Sequence, residues 1–374
     1  MKAKTEHWVT VVGFCAFLGV AAALYLFLPR SEYSEREKRY LAKSPTLTID
    51  SLVSGEYGED LETYMADHIP ARDFFVGLNA YADLLSGRQV SKEIYVAEEN
   101  RLVEAPVLWN EVQATKNIAA VDRLAKALDQ KVDLMIVPSA GWAVEDQIIG
   151  LADPYTDKEQ IERLYAMTND RANTVDVLSA FAAESDRGVL YYKTDHHWTS
   201  FGAYKAYSAY MAAKDRAYPA AEEFAVTVAD GFQGSTYSRA ALWLTPSEPL
   251  ELWKRTSRLF VTNSKTNQPH EGVFYTERLN EADKYTVFLD GNQAIVRIEN
   301  PENVGKGSAL VIRDSYANCL GPFLAESYET VVLVDPRYYK QPITELCDKE
   351  EFTDVLVCYS LGNFMTDNNL VWLK

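Results

Sequence analysis

The chain has 374 residues, 47% of them apolar and 24% charged, the composition of a folded globular protein. Its formal net charge of −17 argues against the basic face that a nucleic-acid backbone requires. Of four cysteines, Cys15 lies in a long apolar run near the N-terminus, and the odd three that remain, Cys319, Cys347 and Cys358, make no disulfide framework and at most one bridge; no Cys-x-x-Cys pair or His/Cys cluster with zinc spacing occurs. The length suits one large domain with insertions, or two domains.

Residues 1–7 form a short tail ahead of an uncharged apolar run, 8–29 (WVTVVGFCAFLGVAAALYLFLP), long enough to cross a bilayer as a helix. A cleaved signal peptide has a shorter apolar core of about 7–15 residues. Ala21 and Ala23 imitate a small-x-small cleavage site, but the apolar run continues through Leu24–Leu28. The reading is an uncleaved, single-pass signal anchor. Lys2 and Lys4 precede the span, and Arg30, Arg36, Lys38 and Arg39 follow it among glutamates, so the positive-inside count does not fix the orientation. A short tail before a large downstream domain favours a cytoplasmic tail and an extracytoplasmic body.

Residues 30–90 read as a helical stalk and collar. Ser34–Leu41 is a charged helical patch, ended by Pro45, and Asp60–Ala66 and Ala71–Leu85 carry apolar residues at helical spacing. The remainder, 91–374, opens with a hairpin pattern at 94–103. Helix–strand alternation follows: a helix over 117–130, a buried strand over 132–137 ending at Pro138-Ser139, and a helix around 158–167. Residues 231–300, rich in Thr, Val, Tyr and Phe with a turn at Asp290-Gly291, predict a β-rich insertion.

Two stretches carry chemistry. The first is Thr194-Asp195-His196-His197-Trp198, which holds two of the five histidines. The run Gly188–Tyr192 before it reads as a buried strand. Phe201–Ala213 after it reads as a helix, capped by Thr199 or Ser200. In an extended segment Asp195 and His197 leave one side and His196 points away toward the body of the domain. The second stretch is a buried strand, Ser308–Arg313, that ends at Asp314-Ser315 and passes into a helix up to about Ser327. A further strand, Thr330–Val334, enters Asp335-Pro336-Arg337. A serine where a strand becomes a helix has an exposed hydroxyl and helix N–H groups nearby, the donors that a developing oxyanion needs. Alone, Ser315 would be read as a helix cap. Together, Asp195, His197 and Ser315 supply orienter, base and nucleophile, because a serine hydroxyl needs an imidazole to take its proton. Two histidines and an acid would also suit a metal, but no further ligands are visible, and the reading holds no metal and no cofactor. Ser139 and Arg337 lie on site-facing loops. Tyr204, Tyr207 and Tyr210 fall at helical spacing as packing residues, and His68 and His270 read as structural or solvated.

Thr194–Trp198 resembles the signature of bacterial DHHW proteins. These are similar to the SGNH-hydrolase-like domains of the alginate O-acetyltransferase family, whose matching motif is Thr-Asp-x-His-Trp. Arg39–Ala42, Asp67–Asp73, Phe288–Asn292 and Asp335–Tyr339 extend the resemblance from about residue 34 to the C-terminus. It implies a three-layer α/β/α fold of SGNH type, circularly permuted because Asp-His precedes Ser, with the β-rich insertion and the transmembrane helix added. It also implies catalytic Asp195, His197 and Ser315, and an Asn292 similar to the side-chain oxyanion donor of such sites. Arg313 stands where ordinary SGNH enzymes have glycine, so their glycine donor does not carry over, and His196 has no catalytic counterpart. The function implied is a membrane-anchored O-acetyltransferase or esterase acting on a cell-surface polysaccharide through an acyl-enzyme. A multi-span membrane-bound O-acyltransferase would supply the acyl group. The alternative is a non-catalytic surface protein that keeps the fold to bind glycan or a partner.

Overall fold

The computed structural model describes residues 2–88, 90–91, 93–148, 150–151 and 153–374, and of 2–7 and 90–91 the backbone alone; Met1 of the expected tail lies outside the described residues. The chain divides into two compact units, Met1–Arg88 with Ala241–Trp243, and Gln89–Ala240 with Leu244–Lys374.

The first unit begins with α1 (Lys2–Phe27), whose apolar stretch Trp8–Phe27 is long and apolar enough to cross a membrane. Further on are α2 (Glu56–Asp67) and α3 (Arg72–Leu85). The charged patch expected as a helix is instead a small hairpin, Tyr33–Ser34 paired with Arg39–Tyr40. Its charges are used across the chain and not at helical spacing. The Arg39 guanidinium donates to both oxygens of Asp67 at 2.9 and 2.5 Å, Arg72 pairs with Glu37 at 2.9 Å, and Lys38 takes a left-handed φ of 52° at the turn. The Arg39 hydrogen bond, aided by the Ala42 N–H, holds the Asp67 carboxyl down to about 2. A folded-state pKa below the unfolded value gives stability that is present above about pH 4 and lost as pH falls toward 2. Protection factors of the amides in residues 33–73, each referred to the intrinsic rate at its pH, should therefore fall across that window in the wild type. Asp67→Asn should show the lower protection already at neutral pH; flat wild-type protection through the window would refute the linkage.

The second unit is built on an eight-stranded sheet. Its strands, in chain order, are β1 (Val132–Val137), β2 (Ala172–Thr174), β3 (Phe260–Asn263), β4 (Pro269–Glu271), β5 (Ile295–Glu299), β6 (Ser308–Arg313), β7 (Thr330–Val334) and β8 (Asp354–Ser360). In space the order is β4-β3-β5-β7-β6-β8-β1-β2, with β7 to β2 parallel and β3 to β5 antiparallel at one end. The inner parallel strands β7, β6, β8 and β1 are mostly apolar because both of their faces are covered, while the edge strand β2 is only partly buried. Ala309, Val311, Leu333 and Leu356 face a core shared with α6 (Ser200–Ala213) and α7 (Ala317–Leu324). Leu310, Ile312, Val332 and Val357 face the opposite core, closed by α4 (Glu111–Leu128) and α5 (Asp157–Ala166). The result is the expected α/β/α sandwich. Tyr204, Tyr207 and Tyr210 of α6 are buried in the first core. Within 231–300, β3, β4 and β5 join and extend the central sheet, while Glu248–Lys254 pairs antiparallel with Ala225–Phe232 in a separate two-stranded sheet.

One segment departs from the pattern. Gly188–Tyr192 is no strand: Arg187–Leu190 makes a single 3-10 turn, and Tyr191 forms a lone bridge to Trp198. The run is apolar because Leu190, Tyr191 and Tyr192 are buried, but its carbonyls find no neighbouring strand. The buried Arg101 guanidinium takes them, donating to the oxygens of Gly188, Tyr191 and Tyr192 at 3.0 to 3.2 Å. A run of five apolar residues is too short for its periodicity to separate these outcomes.

Candidate active site

β6 lies between β7 and β8, so the chain leaves β6 on one side and later returns on the other. Open α/β sheets bind ligands in the crevice that such a reversal leaves at the carboxyl ends of the strands. Ser315 stands there, two residues past β6 and two before α7. The turn is fixed by Asp314, which is fully buried. One carboxylate oxygen accepts from the Tyr316 N–H at 3.0 Å; the other accepts from the Ser360 N–H, the Ser360 hydroxyl and the Asn363 amide at 2.8 to 2.9 Å.

The Asp-His-His-Trp segment approaches from the loop between the Tyr191–Trp198 bridge, not from a strand end. The His197 ring lies between Asp195 and Ser315, with Nδ1 2.5 Å from Asp195 Oδ1 and Nε2 2.7 Å from Ser315 Oγ. All three side chains are buried, at 2, 6 and 7% exposure. An ionised carboxylate only accepts, so Nδ1 carries the proton and Nε2 is left to accept from the serine hydroxyl. The loop is bent, not extended: the His197 N–H folds back on Asp195 Oδ1 at 2.8 Å. In consequence His196 does not point away. Its ring packs on that of His197, centroids 3.8 Å apart, and its Nδ1 meets the Ser235 hydroxyl at 2.5 Å. Burial, and then the neighbouring His197, hold the His196 pKa below its ordinary value. The Trp198 indole donates to the Tyr316 carbonyl at 3.0 Å, and the Tyr316 hydroxyl donates to the His196 carbonyl. These two bonds fasten the motif to the residue after Ser315.

Several contributors gave no signal in the sequence. The Ser235 N–H donates to Asp195 Oδ2 at 2.7 Å, and a Cβ on Gly234 would overlap the same carboxylate, so this position needs glycine. Tyr285 stacks on the His197 ring at 3.9 Å and 9°, covering one face of the imidazole. Glu248 accepts from the N–H groups of Lys193 and Thr194 and from the Thr194 hydroxyl, at 2.5 to 2.7 Å, which pins the two residues before Asp195. Its burial pushes the carboxyl pKa up against those bonds. Glu248→Gln puts an amide N–H2 against N–H donors and should loosen the loop. If the site turns over an ester, kcat should fall between about 10- and 100-fold with KM unchanged. Equal kcat, or a change confined to KM, would leave Glu248 no positioning role.

The remaining expected residues are arranged as follows. Asn292 accepts from Arg313 at 3.0 Å and from the Asn318 amide at 2.9 Å, and so lies against both flanks of Ser315. Arg337 turns to the Asp335 carboxylate, with bonds of 2.9 and 2.7 Å, and holds the end of β7. Ser139 caps a short helix and lines a cavity of about 300 Å³ with His196, Ser235, Arg239, Tyr316 and Asn363. Arg313, which stands where ordinary SGNH enzymes have glycine, is wholly buried and lies 3.6 Å from Asp335. The helix donors expected near Ser315 are partly committed: the Tyr316 N–H to Asp314, and the Asn318 N–H to the Ser315 carbonyl at 3.1 Å. Asp195, His196 and His197 offer ligand atoms within 4.8 Å of one another. Those of Asp195 and His197 are spent on each other and on Ser315, so metal binding would dismantle the hydrogen-bonded line.

A family profile described as "DHHW protein" matches residues 108–334, more than half of the chain. The chain belongs to the DHHW protein family. Among solved structures this DHHW protein is similar to a DHHW family protein from Eubacterium siraeum, at 19% identity and a TM-score of 0.66, covering 75% of this chain and 94% of that one. It is also similar to PatB1 of Bacillus cereus in a structure with a sulfonyl adduct, at 18% identity and a TM-score of 0.63, covering 75% and 98%. A second PatB1 structure gives 19% identity and a TM-score of 0.62 over the same shares. No curated protein matches the chain. At these identities the structures speak to the fold, which this DHHW protein shares.

Proposed function

We propose that the protein is a membrane-anchored, extracytoplasmic O-acyltransferase, most simply an acetyltransferase, that modifies a cell-surface polysaccharide through an acyl-enzyme on Ser315. The observation that carries this reading is the buried Asp195–His197–Ser315 line, with hydrogen bonds of 2.5 and 2.7 Å. Membership of the DHHW family supports it.

In this mechanism the Ser315 hydroxyl proton passes to His197 Nε2 as Oγ forms a bond to the acyl carbonyl carbon. Asp195 accepts from Nδ1–H and stabilises the imidazolium. The carbonyl oxygen becomes an oxyanion, which takes a donor fixed before the reaction. Asn292 suits that role, since Arg313 and Asn318 hold its oxygen and its amide N–H2 remains to donate. Collapse breaks the bond to the leaving alcohol, which takes the proton from His197, and leaves acyl-Ser315. A sugar hydroxyl then gives its proton to His197, attacks the acyl carbon and departs as the ester, restoring the serine.

In this reading the span 8–29 anchors the chain, 30–90 is the collar, and 91–374 carries the chemistry beside a multi-span partner that delivers the acyl group. The test is full-length protein in detergent, given an activated acyl ester and a neutral oligosaccharide. O-acylated sugar is the expected product. Free acid alone, at a rate that the sugar does not change, would make the protein an esterase and remove the transferase.

A further inference from the structure

Behind the loop that carries Asp195 and His197 lies a larger cavity, about 730 Å³ in volume, which none of Asp195, His197 and Ser315 lines. One part of its wall is aromatic: Phe201 and Trp253 are both partly exposed, with ring centroids 6.2 Å apart. Another part is acidic, formed by Glu99, Asp186, Glu248 and Glu251. The two cations of the wall are already engaged. Lys193 Nζ lies 2.6 Å from Glu99, and Arg101 donates to three backbone carbonyls. Four carboxylates facing committed cations repel an anionic ligand, while their remaining lone pairs accept from hydroxyl or ammonium groups. Flat, partly exposed rings take the C–H face of a pyranose, and the volume is that of an ordinary small-ligand site.

We propose that this cavity is a second glycan subsite, which holds neutral or amino sugars of the polysaccharide away from the sugar being acylated. The assignment rests on the function proposed above for its choice of polymer. The subsite also touches the chemistry, because Glu248, one of its walls, is the carboxylate that grips Lys193 and Thr194. A sugar seated there presses on the loop that positions Asp195.

The experiment is calorimetric titration of the full-length protein in detergent with two probes, a partly deacetylated chitotetraose and a hyaluronan tetrasaccharide. Chitotetraose should bind the wild type and Ser315→Ala alike, and the acidic tetrasaccharide should bind at least about tenfold more weakly. Trp253→Ala removes the aromatic face, and Ser247→Trp fills the cavity from an exposed position without touching the core. Each should raise the Kd for chitotetraose at least about tenfold while turnover of a small ester stays within about twofold of wild type. Tighter binding of the hyaluronan tetrasaccharide, no binding of chitotetraose, or an affinity that Ser247→Trp leaves unchanged would each overturn the assignment. Binding is read apart from turnover, so a protein that binds in this pattern and transfers no acyl group would lose the catalytic reading and keep the subsite.

Discussion

Ser315→Ala should abolish ester turnover and leave the protein folded. The hydroxyl is the only group lost. Its hydrogen bond to His197 Nε2 is one of several that hold the imidazole, alongside the Asp195 bond and the Tyr285 stack. The turn itself is held by Asp314, through bonds to Tyr316, Ser360 and Asn363 that the substitution does not touch. Stability should therefore change by about 1 kcal/mol or less, the net worth of one hydrogen bond. Turnover should fall to the level of the buffer control. A serine variant with wild-type turnover would mean that the line of three side chains is structural.

The two histidines of the motif should separate by orders of magnitude. His197→Ala removes the proton acceptor of Ser315 and should lower turnover as far as Ser315→Ala does, since residues that act as a unit fail together. Asp195→Asn keeps the shape but presents an N–H2 or a neutral oxygen to Nδ1, which favours the wrong tautomer; a loss of about 10⁴-fold is expected. His196→Gln should cost far less. Its ring touches that of His197 and its Nδ1 meets Ser235, but it makes no bond to Ser315 or to the Asp195–His197 pair at hydrogen-bond distance. Its loss should appear as a modest drop in stability or a raised KM. Steady-state kinetics on the three variants decide the matter. A dead His196→Gln beside an active His197→Ala would exchange their roles.

What the sequence disclosed follows from where its patterns are local. The strands Val132–Val137 and Thr330–Val334 and the helix from Ser200 are unbroken runs whose burial on both faces, or whose cap at Thr199, is written within a few neighbouring residues. The line from Asp195 to Ser315 joins residues 120 apart, yet each half has its own local signal, a clustered Asp-His-His and a strand that ends at a serine. The supporting residues have none. Glu248 looks like any surface glutamate, Tyr285 like any strand tyrosine, and Gly234 like a turn glycine. Only the folded chain puts them against Thr194, His197 and Asp195. The misread segments fail for the complementary reason. Gly188–Tyr192 has the burial of a strand while Arg101, almost 90 residues earlier, receives its carbonyls. Ser34–Leu41 has helical charge spacing, but its charges pair with Asp67 and Arg72. The bend at His197 also turns His196 onto its neighbour, which a reading based on extended geometry cannot foresee.

The central claim, that Ser315 is a nucleophile activated by His197, is tested most directly by peptide mass spectrometry on full-length protein quenched in acid after exposure to p-nitrophenyl acetate. The account predicts one acetyl group on the peptide that contains Ser315 in the wild type, and none there in Ser315→Ala or His197→Ala. An acetyl group on another serine, or an equal yield on Ser315 when His197 is alanine, would contradict it.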